Sequence, residues 1–338
     1  MIELKTPGGF AVEVPELIEE DRTPRFSIDD LAAARKHYDE EGYVLLSGLL
    51  SGADCDLIRG VWDREVKPFK GFIYRQTTGK AERHQKNAQN WIMNPVINLQ
   101  SLDSRVFPEI KEAVISRFLT ADGVSKAFGA LFDQPYKIIQ SMYFEGHNGS
   151  PEHQDTYYSD SINQGAICAA WAALEDIAAD AGRLFLCPRS HRVFIPNEIP
   201  DADSIGDHSK YIELVRSILR ERGFEFRAPA LQKGDTLFWN ARTIHGAFKG
   251  TSTSRSRSSL TCHAIPAADP LQQLQRKVIL PKTRNIRGVE IFSPKDQELR
   301  VNRVILNVEA RFPVAFHFAK RKMASAMVRR RLRKSRTS

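Results

Sequence analysis

The chain contains no apolar run long enough to cross a bilayer, no closely spaced cysteine pair, and no charge excess outside its C-terminal end. Each absence removes a class of protein. The longest apolar stretches, such as AICAAWAAL over residues 166–174, stop well short of the roughly 20 residues a membrane helix needs, so none is expected. The opening MIELKTPGGFAVEVPELIEEDRTPRF lacks a basic segment followed by an apolar one, which argues against a secretion signal and for a cytoplasmic location. Cys55, Cys168, Cys187 and Cys262 lie far apart and are expected as buried free thiols, not as a zinc knuckle or a redox pair.

The net charge of +8 belongs to the tail. Lys320–Ser338 holds nine of the 49 Lys and Arg and no acid, which leaves 40 basic against 41 acidic residues elsewhere. A nearly neutral body gives no reason to expect nucleic acid as a partner. Within FHFAKRKMASAMVRRRLRKSR, Phe316, Ala319, Met323 and Met327 fall on one helical face among Lys and Arg. That pattern suits either peripheral contact of residues 316–336 with an anionic membrane surface, at its inner face, or a solvated basic tail.

The hydrophobic fraction of 42% over 338 residues is enough for a well-buried core. SIDDLAAARKHYDEEG predicts a helix with Ser27 as N-cap, Asp29 and Asp30 in its first turn, Leu31, Ala34 and Tyr38 on one face, and Gly42 as its stop. A short strand over 43–46 follows, then helices over 51–66, 107–119 and 123–132. Residues 72–100 are polar and aperiodic, as expected of a loop or lid. From Lys137 onward, short apolar segments bounded by Gly, Pro, Asp and Asn predict strands at 137–144, 166–174, 183–187, 236–239 and 258–264. Between the third and fourth, Ile212, Val215 and Leu219 mark a helical insertion inside a second loop region, 196–230. The order points to one α+β domain over 1–310, with a β core at about 137–266 and a basic amphipathic tail over 311–338.

The run SPEHQDTYYSD sets His153 and Asp155 two positions apart where an apolar segment gives way to a polar one. Alone, His-x-Asp is close to a chance pairing. QKGDTLFWNARTIHGAFKGTSTSRSRSSLTCH supplies partners: an apolar strand, His245, then Arg255 and Arg257. Two imidazoles and one carboxylate make the facial triad that holds non-haem Fe(II) and leaves three positions open. A 2-oxo acid on two of them needs a cation for its distal carboxylate, and a guanidinium meets a carboxylate as a two-pronged fork; dioxygen takes the third.

On these residues the chain resembles the phytanoyl-CoA dioxygenase-like family of Fe(II)- and 2-oxoglutarate-dependent oxygenases. EEGYVLLSGLLSGADCDLIRGVWD is similar to that family's N-terminal element, HQD to its proximal metal motif, AAWAALEDIAADAGRLFLCPRSHR to its core, and GDTLFWNARTIHG to its distal metal strand. The resemblance implies a double-stranded β-helix, a cupin-like jelly-roll barrel flanked by the N-terminal helices. It further implies His153, Asp155 and His245 as iron ligands and Arg257 as the 2-oxoglutarate clamp, with Arg255 as the alternative register. Gln140, Thr251 and Ser254 are weaker cofactor contacts, and ascorbate is a candidate reductant. PRSH departs from the family's PGSH, so Arg189 is either a substrate-facing cation or a turn residue. The retained Asp155 favours hydroxylation over halogenation.

Trp171 and Trp239 are expected in the core, His191 in a local hydrogen bond, and His147 and His263 lack ligand-like spacing. His84 and Lys80 fall in the expected lid. The implied activity is hydroxylation of a C–H bond in a small or lipid-linked metabolite, anionic ones included, with release of succinate and CO2. Two alternatives remain open: a non-catalytic jelly-roll binding protein for an anionic glycan or lipid head group, and a cupin-type metal enzyme without 2-oxoglutarate, which would leave Arg257 idle.

Overall fold

The computed structural model describes residues 1–193, 195, 207–274, 277–316, 318–320 and 322. Eight strands build its centre: β1 (Tyr43–Leu46), β2 (Tyr136–Phe144), β3 (Asn148–His153), β4 (Cys168–Ala173), β5 (Leu184–Leu186), β6 (Thr236–Asn240), β7 (His245–Lys249) and β8 (Ser259–Pro266). A large sheet runs in the order β2-β8-β4-β6-β1 and a small one in the order β5-β7-β3. From β2 to β8 the chain alternates strictly between the two sheets, which is the winding of a jelly roll, as the family resemblance implies.

Parity along β4 shows how the sheets meet. Ala169 and Trp171 pack with Leu184 and Leu186 of β5 and with Leu237 and Trp239 of β6, inside the sandwich. Cys168, Ala170 and Ala172 face the other way, into a cluster shared with the N-terminal helices. Both faces are covered, so the strand is apolar throughout and shows no alternation in sequence.

The helices α1 (Leu31–Glu41), α2 (Gly52–Val61), α3 (Pro108–Val114) and α4 (Asp122–Phe132) contribute to that outer cluster. The cap of α1 is Asp30, whose carboxylate accepts from the Ala33 amide, and not Ser27. Ser27 is committed to the preceding turn, its hydroxyl accepting from the Asp29 amide at 3.1 Å. Gly42 ends α1 as expected, at φ 82°, a conformation that costs a side-chain-bearing residue steric strain. α2 and α3 each pass into a π-helical turn, Trp62–Val66 and Ile115–Leu119, where continuous helices were expected.

Residues 72–100 are more ordered than a polar loop. Ile73–Tyr74 pairs with Ala81–Glu82, and Val96–Ile97 pairs with Tyr143 and Met142 of β2. The buried Arg75 guanidinium ties the segment together, donating to the carbonyls of Asn94 and Glu82. The helical insertion is α5 (His208–Arg222), which buries Ile212, Val215 and Leu219 as its spacing predicts. Strand β3, with the sequence NGSPEH, carries no strand signal at all; pairing with β7 makes it a strand. Beyond the expected β core lie strands Leu271–Gln273, Lys277–Ile279, Thr283–Ile286 and Val289–Phe292 and a helix, α6 (Arg300–Arg311). Residues 196–206 of the second loop region, and Met323 and Met327 of the tail face, lie outside the described residues. Among the described residues no helix is long and apolar enough to cross a membrane.

Candidate active site

Strands β3 and β7 run antiparallel with His153 and His245 as direct cross-strand partners, next to a register shift between His245 and Ala247. A bulge there re-aims a side chain from the sheet face. Gly246 sits in it because a Cβ would lie 2.5 Å from Phe185 and 2.7 Å from the Ser150 carbonyl. The two imidazoles end 4.3 Å apart, centre to centre. Asp155 opens the helical turn that follows β3, and its Oδ1 lies 3.7 Å from Nε2 of each histidine.

Outer contacts fix what these groups present. Nδ1 of His153 bonds the Pro151 carbonyl at 2.8 Å and Nδ1 of His245 the Thr243 carbonyl at 2.9 Å. A carbonyl can only accept, so each Nδ1 carries a proton and each Nε2 is the nitrogen turned toward Asp155. Burial, and then the neighbouring His245, push His153 down to about 4, so it is neutral at physiological pH. Burial opposes ionisation of Asp155, but His245, His263, His153 and the Trp239 indole outweigh it and hold the carboxyl below its usual range. Trp239 Nε1 donates to Asp155 Oδ2 at 2.9 Å, which occupies that oxygen and leaves Oδ1 to the histidines. One donor atom from each of the three residues lies within 4.8 Å of the others. Two imidazole nitrogens and a carboxylate oxygen converging on one point fit a divalent transition metal.

The cavity beside them, about 420 Å³, is also lined by Gln140, Met142, Phe144, Trp171, Arg257, Thr261 and His263. Arg257 is only 2% exposed. Its Nε and Nη1 have no hydrogen-bond partner among the described residues, and burial pushes its pKa down to about 9. The guanidinium lies 5.3 Å from the ring centres of both Phe144 and Trp171. A buried cation without an anion is costly, so this one is built to receive a negative group.

The structure brings together His153, Asp155, His245, Arg257 and Gln140 around one cavity. Arg255 is outside it, exposed and paired with Asp180 at 3.0 Å. Thr251 and Ser254 are also exposed and away from the cavity. Arg189 is a turn residue at φ 65°, ion-paired with Glu41. His191 bonds not within its own turn, as expected, but to a remote segment, at the Asp39 carbonyl, and His84 bonds Arg75 and the Val66 carbonyl. Four residues set aside on sequence line the cavity after all: His147, Trp171, Trp239 and His263. Strand parity could have flagged one of them, since Arg257, Thr261 and His263 are all odd-numbered positions leading into and along β8. His263 pairs with Gln140 of β2, and its Nδ1 is buried without a partner among the described residues.

A jelly roll that carries two imidazoles, a carboxylate and a partnerless buried arginine around one cavity defines the class of non-haem Fe(II)- and 2-oxoglutarate-dependent dioxygenases. Within that class the chain belongs to the family described as phytanoyl-CoA dioxygenase (PhyH), whose profile it matches over residues 38–259. The peroxisomal phytanoyl-CoA dioxygenase of Mus musculus is 24% identical over 243 residues, 68% of this chain and 66% of the mouse protein. About a third of that relative's length therefore lies outside the match. Among solved structures, the non-haem alpha-ketoglutarate-dependent carbocyclase SnoK from nogalamycin biosynthesis superposes with a TM-score of 0.54 at 19% identity, covering 73% of this chain and 88% of SnoK. The epimerase SnoN in complex with Fe3+, alpha-ketoglutarate and nogalamycin RO gives 0.53 at 16% identity, covering 80% and 97%. At such identities the structural likeness speaks for the fold.

Proposed function

We propose that this protein is an Fe(II)- and 2-oxoglutarate-dependent dioxygenase that hydroxylates a C–H bond of a small or lipid-linked metabolite. The observation that carries this reading is the buried, partnerless guanidinium of Arg257 in the same cavity as the His153, Asp155 and His245 donors. A metal enzyme that used no 2-oxo acid would bear the cost of burying Arg257 for nothing, and a binding module would need no triad. When bound, iron, 2-oxoglutarate and dioxygen supply the oxidising power, one oxygen atom leaving in succinate beside CO2 and the other entering the substrate.

The chain's own residues hold and orient. His153 and His245 offer Nε2 and Asp155 offers Oδ1. Arg257 forks the distal carboxylate of 2-oxoglutarate, and the Gln140 amide faces the same space. Met142, Phe144 and Trp171 wall the site with apolar surface that keeps water from the cofactor. Gln76, Thr77, Ser159 and Gln273 line the remainder of the cavity, where the substrate would enter. Apart from Arg257 no Lys or Arg is among the described lining residues, so an acidic head group of the substrate would rest outside the cavity.

Two variants test the geometry. Trp239→Phe keeps an aromatic ring but frees Asp155 Oδ2; loss of such an outer partner is expected to weaken Fe(II) binding by roughly 10–100-fold, read by anaerobic metal titration. Arg255→Ala removes only an exposed ion pair, so 2-oxoglutarate affinity is expected to stay within about two-fold of wild type in the same titration. The experiment that tests the function as a whole is anaerobic addition of Fe(II) and then 2-oxoglutarate, followed by visible absorption. The weak charge-transfer band of a chelated 2-oxo acid is expected. Iron binding without the band would favour a cupin-type enzyme that does not use 2-oxoglutarate, and no iron binding would refute the triad.

A further inference from the structure

Helix α6 is mounted with its apolar side outward. It buries Leu306 and Glu309 against the body, where Tyr74 donates to the Glu309 carboxylate and Leu306 packs with Tyr74 and Ala81. The positions one expects to be covered are the exposed ones: Val301, Val304, Ile305, Val308 and Phe312, with spacings of three and four that make a single stripe. Val301 and Phe312 are 60% and 63% exposed, and Val314 and Phe318 continue the apolar surface beyond the helix. Arg105, Arg300, Arg303 and Arg311 flank Val304, Val308 and Phe312 in a shallow groove. Arg105 and Arg303 are shared with Asp103, but Arg300 and Arg311 have no carboxylate partner among the described residues. From Arg300 to Ser338 the sequence has twelve Lys or Arg and one acid, the buried Glu309.

We propose that this face of α6 is a docking surface for an anionic lipid bilayer, with the valine stripe entering the boundary of the acyl chains and the arginines meeting lipid phosphates. An exposed apolar stripe with a cationic border and no exposed acid is the pattern of a helix that lies in a membrane interface. A second copy of the chain fits worse, because pairing this face with itself would bring two strongly basic segments together. The inference is independent of the metal site, and it places the contact on the folded body as well as on the basic tail.

The test is co-sedimentation of the full chain with vesicles of phosphatidylcholine alone or with a quarter of phosphatidylserine. Wild type is expected to bind the anionic vesicles, to bind the neutral ones poorly, and to release as salt rises from about 0.1 M to about 1 M, where the screening length falls to about 3 Å. Val304→Asp with Val308→Asp places two carboxylates in the stripe and is expected to lower partitioning by at least about ten-fold. Both positions are exposed, so an unchanged melting temperature verifies the fold of the variant. The proposal is overturned if wild type ignores anionic vesicles. It is equally overturned if the double variant binds them as well as wild type, which would mean a general polyanion contact through basic residues. A wild-type dimer that the double variant converts to monomer, without vesicle binding, would assign the stripe to a second copy instead.

Discussion

Asp155→Ala and His153→Ala are each expected to abolish 2-oxoglutarate turnover, with a loss well beyond the ~10–100-fold that removing an outer-shell partner costs. Each change deletes one of three donor atoms that lie within 4.8 Å of one another, and no other carboxylate lines the cavity among the described residues. His263 cannot stand in simply, because its Nε2 lies 3.9 Å from Asp155 Oδ2, the oxygen already held by Trp239. Asp155→Asn separates charge from shape: its amide oxygen can still accept from Trp239, so the fold should tolerate it better than alanine while metal binding is still weakened. Metal content after anaerobic loading, measured beside succinate formation, checks the prediction. Wild-type turnover in either alanine variant would show that the ligand assignment is wrong.

Arg257→Leu is expected to raise the dissociation constant for 2-oxoglutarate by about 30-fold or more, from the roughly 2–5 kcal/mol that losing one partner of a buried charged pair costs. The distinguishing feature is stability. Removing a buried cation that has no anion relieves a desolvation cost, so without cofactor the variant should melt no lower than wild type. A structural arginine such as Arg183, whose guanidinium is spent on the carbonyls of Ile177 and Pro15, would behave in the opposite way when removed. Metal-loaded wild type at about 100 times its dissociation constant should gain about 2.7 kcal/mol from 2-oxoglutarate, and the variant should gain much less at the same concentration. Calorimetry with and without 2-oxoglutarate checks both halves. A variant that melts far below wild type and keeps its affinity would make Arg257 a core residue and not a clamp.

The two predictions differ in how far they could be seen from sequence. His153 and Asp155 share one short motif, and His245 follows an apolar strand with a Gly-Asp turn, so their residue types and order already suggested metal chemistry. Arg255 and Arg257 are two positions apart, and strand parity alone puts both on the same side; the family resemblance favoured Arg257, and the structure places Arg257 and not Arg255 at the cavity. Residue 255 still lies in the irregular segment, where its side chain swings out to Asp180, while Arg257 sits at the entry to β8 beneath Trp171 and Phe144. Trp239 is expected in the core as an aromatic on a jelly-roll strand, and a core packing cluster does include it. Its indole nitrogen nevertheless reaches Asp155, a contact between β6 and the turn after β3 that no local pattern encodes.

What the sequence determined by itself was local and ordinal: where helices α1, α4 and α5 lie, which segments of the large sheet are apolar, and in what order the metal-binding residue types come. Those properties follow from periodicity and residue chemistry within a few turns of chain. Tertiary structure decided the rest. β3 is a strand because β7 supplies its hydrogen bonds, although its Gly and Pro argue against one. The register of that pair sets His153 against His245, and the facing of the two sheets sets Arg257 and His263 over the same cavity. α6 likewise shows its apolar side to the outside because Tyr74 and Lys295 claim Glu309 on the other. Cross-strand register and the choice of buried face depend on partners remote in the chain, and no window of sequence contains both halves of such a contact.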